Sequence, residues 1–113
     1  MSKLANDVYI ALKKVFPHNV IIKEHYVSFK GTRLFFDFYI KDLGVLVEAQ
    51  GRQHNEFIQH FHVDRAGFMA SKRRDSLKHA YCEEEELVLV SFDNDDILDE
   101  SNLLNKIWSK ITS

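Results

Sequence analysis

The sequence predicts an α/β fold whose elements run helix, strand, strand, strand, helix, strand, helix. Three observations carry this. Apolar residues recur at three- and four-residue spacing in three segments, four runs are rich in β-branched and aromatic residues, and Lys41-Asp42-Leu43-Gly44 joins two of those runs. A link that short holds no crossover helix, so the second and third strands form an antiparallel hairpin.

Leu4, Val8, Ala11, Leu12 and Val15 give the first helix, over Leu4 to Phe16, and Pro17 stops it. Val20 to Val27 is the first strand, with a turn at Lys30-Gly31-Thr32. Leu34 to Ile40 and Val45 to Gln50 are the second and third strands. The stretch from 53 to 63 is ambiguous. From about Asp64 to Tyr81, Ala66, Met69, Ala70, Leu77, Ala80 and Tyr81 share one helical face, while Arg65, Lys72 and His79 lie on another. The acidic run Glu83 to Glu86 reads as the end of that helix and a turn. Leu87 to Phe92 is a continuous apolar run, as expected of a strand covered on both sides. Leu103, Leu104, Ile107, Trp108 and Ile111 give a last amphipathic helix, capped at Ser101, with Trp108 packing it onto the domain.

Composition bounds the class. The chain has 113 residues, 45% of them hydrophobic and 28% charged, with one Pro and four Gly, which excludes disordered and fibrous classes and sets a single domain over 1 to 113. The lone Cys82 makes no internal disulfide and no cysteine zinc module; the expectation is a reducing, cytoplasmic setting, with Cys82 in the core. No apolar run approaches the roughly 20 residues that cross a bilayer. Net charge is -2, but it is unevenly spread. Residues 1 to 51 are net +2, residues 52 to 80 net +3 and residues 81 to 113 net -7.

The hairpin carries the chemistry. A loop centred between Asp42 and Leu43 pairs residues whose numbers sum to 85, placing Phe36 opposite Ala49, Phe38 opposite Val47 and Ile40 opposite Val45 on one apolar face. The other face then holds Phe35 with Gln50, Asp37 with Glu48 and Tyr39 with Leu46. Two carboxylates directly opposite repel by up to about 1 kcal/mol. A hard divalent cation between them, a shared proton, or solvent exposure with both groups splayed apart would each relieve this.

The stretch Arg33-Leu34-Phe35-Phe36-Asp37 through Val47-Glu48-Ala49-Gln50-Gly51-Arg52-Gln53-His54 resembles the core of the PD-(D/E)XK nuclease superfamily, in its small very-short-patch-repair-like branch. There an Asp and a Glu on adjacent strands bind Mg²⁺, followed by a Gly and a Gln-His pair. Arg74-Asp75-Ser76-Leu77-Lys78 up to Cys82, followed by Leu87 to Phe92, is similar to the helix and strand that come next in that branch. The likeness covers residues 5 to 93. It implies a restriction-endonuclease-like αβββαβ core, a mixed four-stranded sheet flanked by helices, with an added C-terminal helix.

The resemblance implies a Mg²⁺-dependent DNA endonuclease, Mn²⁺ serving as a substitute metal. Asp37 and Glu48 would hold the metal with the Ala49 carbonyl, and Gln50 would position the attacking water where the superfamily usually has a lysine. His54 is the candidate for proton transfer, or else a loop-capping histidine. Asp7 stands where the family often carries a first-helix Glu, one methylene shorter. Arg52, Lys72, Arg74 and Lys78 are candidates for phosphate contacts, with Arg65 peripheral. The same cations also read as a solvated helix face, with Asp75 pairing Lys78 or His79. His60 and His62 alternate as zinc ligands sometimes do, but no cysteine or third ligand accompanies them. The expected partners are DNA and a second copy of the chain, with no membrane. Junction resolution, repair nicking and intron-type cleavage fit equally. The alternatives are a catalytically inactive nuclease fold that binds nucleic acid or protein, and an RNA hydrolase.

Overall fold

A computed structural model of the chain describes residues 1–50 and 65–113. The elements are α1 (Lys3–Val15), β1 (Ile21–Phe29), β2 (Thr32–Ile40), a 3₁₀ turn (Lys41–Leu43), β3 (Val45–Ala49), α2 (Arg65–Glu84), β4 (Val88–Phe92) and α3 (Glu100–Ile111). The expected order holds. The four strands form one sheet in the order β1-β2-β3-β4, antiparallel except for the parallel pair β3 and β4. The fold is therefore α/β, with a mixed four-stranded sheet flanked by helices. No helix among the described residues is long and apolar enough to cross a membrane.

Local chemistry explains the boundaries. Ser2 caps α1 by accepting the Ala5 N–H at 3.1 Å, and the helix closes at Phe16, before Pro17. β1 runs two residues further than the pattern suggested. Lys30 and Gly31 both adopt left-handed conformations (φ 49° and 75°), and a two-residue turn of that kind matches strand twist, so pairing continues to Phe29 and Thr32. Gly44 closes the β2–β3 connection in the same left-handed region, donating to the Lys41 carbonyl. The last helix starts earlier than expected. Asp99, not Ser101, is its cap, accepting the Asn102 N–H at 2.7 Å. Ile107 and Leu103 bury it, while Trp108 is 47% exposed and does not pack it down.

The sheet separates two apolar clusters. On one face α1 and α3 bury Val8, Leu12, Leu103 and Ile107 against Phe38, Ile40, Val45 and Val47. On the other, α2 brings Leu77, Tyr81 and Cys82 against Leu34, Phe36 and Leu46. Fully burying a phenylalanine or leucine is worth roughly 1.5 to 3 kcal/mol, so both clusters are needed.

Leu34 and Phe36 thus lie with α2, whereas Phe38 and Ile40 lie with α1. Strict alternation would put all four on one face, so the side-chain pattern changes sides at Asp37. The partner strand changes at the same level. Glu24, opposite Asp37, has φ 55°, drops out of the β1–β2 ladder, and leaves Lys23 beside Tyr9 of α1 but Val27 and Phe29 with α2. Pairing sums stay constant on both sides of this crease, because both strands shift together. The expected apolar face of Phe36, Phe38 and Ile40 is corrected accordingly: only Phe38 and Ile40 share it.

Candidate functional site

The β2–β3 ladder follows the expected register through Ile40 with Val45, Tyr39 with Leu46 and Phe38 with Val47. There it stops. Beyond it, the Ala49 N–H donates to Asp37 Oδ2 at 2.8 Å, a side chain taking the place of a backbone acceptor. On the other edge of β3 the Gln50 N–H donates to the Phe92 carbonyl at 2.7 Å, as a parallel ladder requires. The peptide groups of Ala49 consequently face β2, and its carbonyl lies on the edge where Asp37 sits.

Glu48 projects to the α2 face and is 4% exposed, the one buried charged side chain among the described residues. Both of its oxygens carry a donor: Lys78 of α2 binds Oε1, and Gln50 Nε2 binds Oε2 at 2.9 Å. Lys78 Nζ also lies 5.5 Å from the centre of the Phe36 ring. Burial pushes the Glu48 carboxyl above its ordinary value; Lys78 pulls it down, and the charges of Asp37 and Asp75 push it up further. That mutual influence places Asp37, Glu48, Asp75 and Lys78 in one electrostatic neighbourhood. Cys82 belongs to its apolar wall: burial, with the Glu48 charge adding, pushes its thiol up to about 11, and Lys78 opposes them.

The fold therefore brings together Asp37, Glu48, Ala49, Gln50 and Lys78. Among the described residues, no hydrogen bond or ion pair joins Asp7 to them. Asp7 lies on α1, half exposed, paired with Lys3 at 3.3 Å, and lines a cavity of about 640 Å³ with Lys14, Asn94 and Asp96. Lys72 and Arg74 are exposed on α2. Arg52 and His54 lie outside the described residues, as do His60 and His62. Lys78, expected as a phosphate contact, has its ammonium bonded to Glu48, and no ion pair joins it to Asp75.

A hard divalent ion suits this donor set. Asp37 uses one oxygen on Ala49, the Ala49 carbonyl faces the same edge, and among the described residues the buried Glu48 has one bonded ammonium and two neighbouring carboxylates, Asp37 and Asp75. No group of three or more His, Cys, Asp or Glu side chains poised around a common point occurs among the described residues, so the protein would supply two carboxylates and a carbonyl, with water and substrate completing the shell.

No protein-family model matches the chain, and no solved structure does. The chain is similar to uncharacterized protein 307L of Invertebrate iridescent virus 6, 37% identical over 57 residues that make up 50% of this chain and 29% of the relative. It is also similar to uncharacterized protein 033L of Invertebrate iridescent virus 3, 35% identical over 60 residues, 53% of this chain and 31% of that one. The matched part spans less than a third of the length of either relative.

Proposed function

We propose that the chain is a metal-dependent DNA endonuclease with a restriction-endonuclease-like core of the PD-(D/E)XK type, in its very-short-patch-repair-like branch. One observation carries the reading: where the β2–β3 ladder ends, Asp37, the Ala49 peptide and a buried Glu48 converge, with an amide and an ammonium already on the Glu48 carboxylate. A buried carboxylate beside a second carboxylate is costly for a fold, and such sites are where function resides.

In this reading Asp37, Glu48 and the Ala49 carbonyl hold Mg²⁺, or Mn²⁺ in its place. When bound, the ion polarises a phosphate oxygen and makes a metal-bound water a stronger nucleophile. The chain's own groups do the rest. Gln50, tied to Glu48 through its Nε2, presents its amide oxygen as an acceptor to orient a water. Lys78 supplies the positive charge that Gln50 lacks, against the charge that develops on the phosphoryl group. Arg74, one turn before Lys78 on α2, and Lys72 offer charge to the flanking phosphates. The basic first eighty residues contain all these groups, and the acidic final third lies away from them in sequence. A symmetric dimer would cut both strands of a duplex or junction with one site per copy.

The test is incubation with branched, nicked and linear duplex DNA in Mg²⁺ or Mn²⁺, beside Asp37→Asn. Cleavage by the wild type and none by the variant is expected. Equal cleavage by both removes the catalytic assignment, and DNA binding without cleavage by either favours a nuclease-fold scaffold instead.

A further inference from the structure

We propose that Lys78 is an exchangeable counter-ion: it occupies Glu48 when no metal is bound, and a divalent ion entering between Asp37 and Glu48 displaces its ammonium. This rests on the nuclease reading of the same site. Three features of the geometry lead to it.

Both Glu48 oxygens are already engaged. Lys78 binds Oε1 and Gln50 binds Oε2, so a metal reaching this buried carboxylate comes directly against a protein donor. The Gln50 bond is made to a neutral amide two residues away along the chain. The Lys78 bond is made to a cation, which a dication at Oε1 both replaces and repels.

The charge balance favours the exchange. Among the described residues, Asp37 and Asp75 are the carboxylates that act on Glu48 and Lys78 is the cation bonded to it, so a dication is attracted there. Without metal, Lys78 is the cation bonded to a carboxylate that is 4% exposed, and it keeps the site folded while it waits.

Lys78 also has somewhere to go. Its stem packs by the buried Phe36 ring, with the ammonium 5.5 Å from the ring centre, while the side chain stays 16% exposed, so four flexible carbons can carry the released ammonium towards solvent. From there it can meet a phosphate oxygen. Lys78 is then a positioning residue in the metal-free protein and a phosphate ligand in the loaded one, and the exchange couples metal entry to substrate charge.

The test follows the Lys78 ammonium directly, by NMR of its side-chain ¹H–¹⁵N resonance in the full chain during Mg²⁺ titration without DNA, with metal binding measured by calorimetry. The ammonium resonance of wild type should move with the same midpoint as metal binding. Lys78→Met, which keeps the stem over Phe36, should bind Mg²⁺ about fivefold tighter or more, since the competitor is gone. Metal binding with an unmoved Lys78 resonance overturns the exchange and leaves the nuclease reading standing. Equal or weaker Mg²⁺ binding by a folded Lys78→Met does the same. Absence of Mg²⁺ and Mn²⁺ binding by both proteins overturns the nuclease reading and the exchange with it. The wild-type titration decides the matter even if the variant does not fold.

Discussion

Two substitutions at Asp37 should separate the fold from the chemistry. Asp37 holds the Ala49 N–H at 2.8 Å through Oδ2, and it also adds to the negative field that pushes Glu48 up. Asp37→Ala removes a hydrogen bond to a charged acceptor, worth about 1.5 to 3 kcal/mol, and relieves a carboxylate repulsion of at most about 1 kcal/mol. The net expectation is a loss of about 1 to 2 kcal/mol. Asp37→Asn keeps an acceptor of the same shape for Ala49. It exchanges a charge-assisted bond for a neutral one, a loss of about 1 kcal/mol that the relieved repulsion offsets, so its stability should stay within about 0.5 kcal/mol of wild type. Urea denaturation followed by tryptophan fluorescence should therefore separate the two variants by about 1 M in midpoint, given slopes of about 1 to 3 kcal/mol per M. Neither should cleave DNA. If the two are equally destabilised, the side chain is not standing in for a backbone acceptor at Ala49, and the account of how the ladder ends is wrong.

Other expectations follow from the same geometry. Glu24→Gly relieves a left-handed conformation that costs an ordinary residue about 1 to 2 kcal/mol, against about 0.5 to 1 kcal/mol of glycine backbone entropy. The variant should melt higher than wild type by a few degrees, and a lower melting temperature would contradict the crease. Burial raises the Glu48 carboxyl in the folded protein above its ordinary 4.5. Its contribution is fully present below that pH and is lost as pH rises through the raised folded value, so the stability of wild type relative to Glu48→Gln should fall from pH 4.5 towards neutrality. A flat or rising difference in denaturant titrations would reject this. Cys82, buried and with its thiol pushed up to about 11, should label slowly with a thiol-specific reagent at pH 8 in the folded protein and rapidly in denaturant. Rapid labelling of folded protein would mean that the α2 face opens far more readily than its packing implies.

The element order and the pairing of β2 with β3 were legible because one short link and one alternating pattern allow a single register, which holds from Ile40–Val45 to Phe38–Val47, one step short of Asp37 and Glu48. The crease was not. It coincides with Glu24 in a left-handed conformation, and a glutamate carries no mark of that backbone state as a glycine would. Only the observed clusters separate Phe36 from Phe38. The Lys78–Glu48 pair was equally hidden, since it joins residues 30 apart through the way α2 lies on the sheet. Asp7 makes a related point: helical spacing says which α1 residues face inward, not what an outward-facing one will meet, which here is Lys3. At α3 the expected cap, Ser101, lies inside the helix. Asp99 caps it instead, its carboxylate accepting the Asn102 N–H and leaving Glu100 in the first turn, where a negative charge is favourable.

Asp37 sits between two phenylalanines that belong to different halves of the protein, Phe36 held by α2 and Phe38 held by α1 and α3. Its carboxylate is in effect suspended between two independent anchors, each several turns of chain away from the other. Loosening either anchor, by truncating Leu12 under one or Leu34 under the other, would tilt the same short segment and stretch the bond to Ala49. Substitutions that impair the site should accordingly be scattered across both faces of the sheet, and a defect on one face should be correctable by repacking the other.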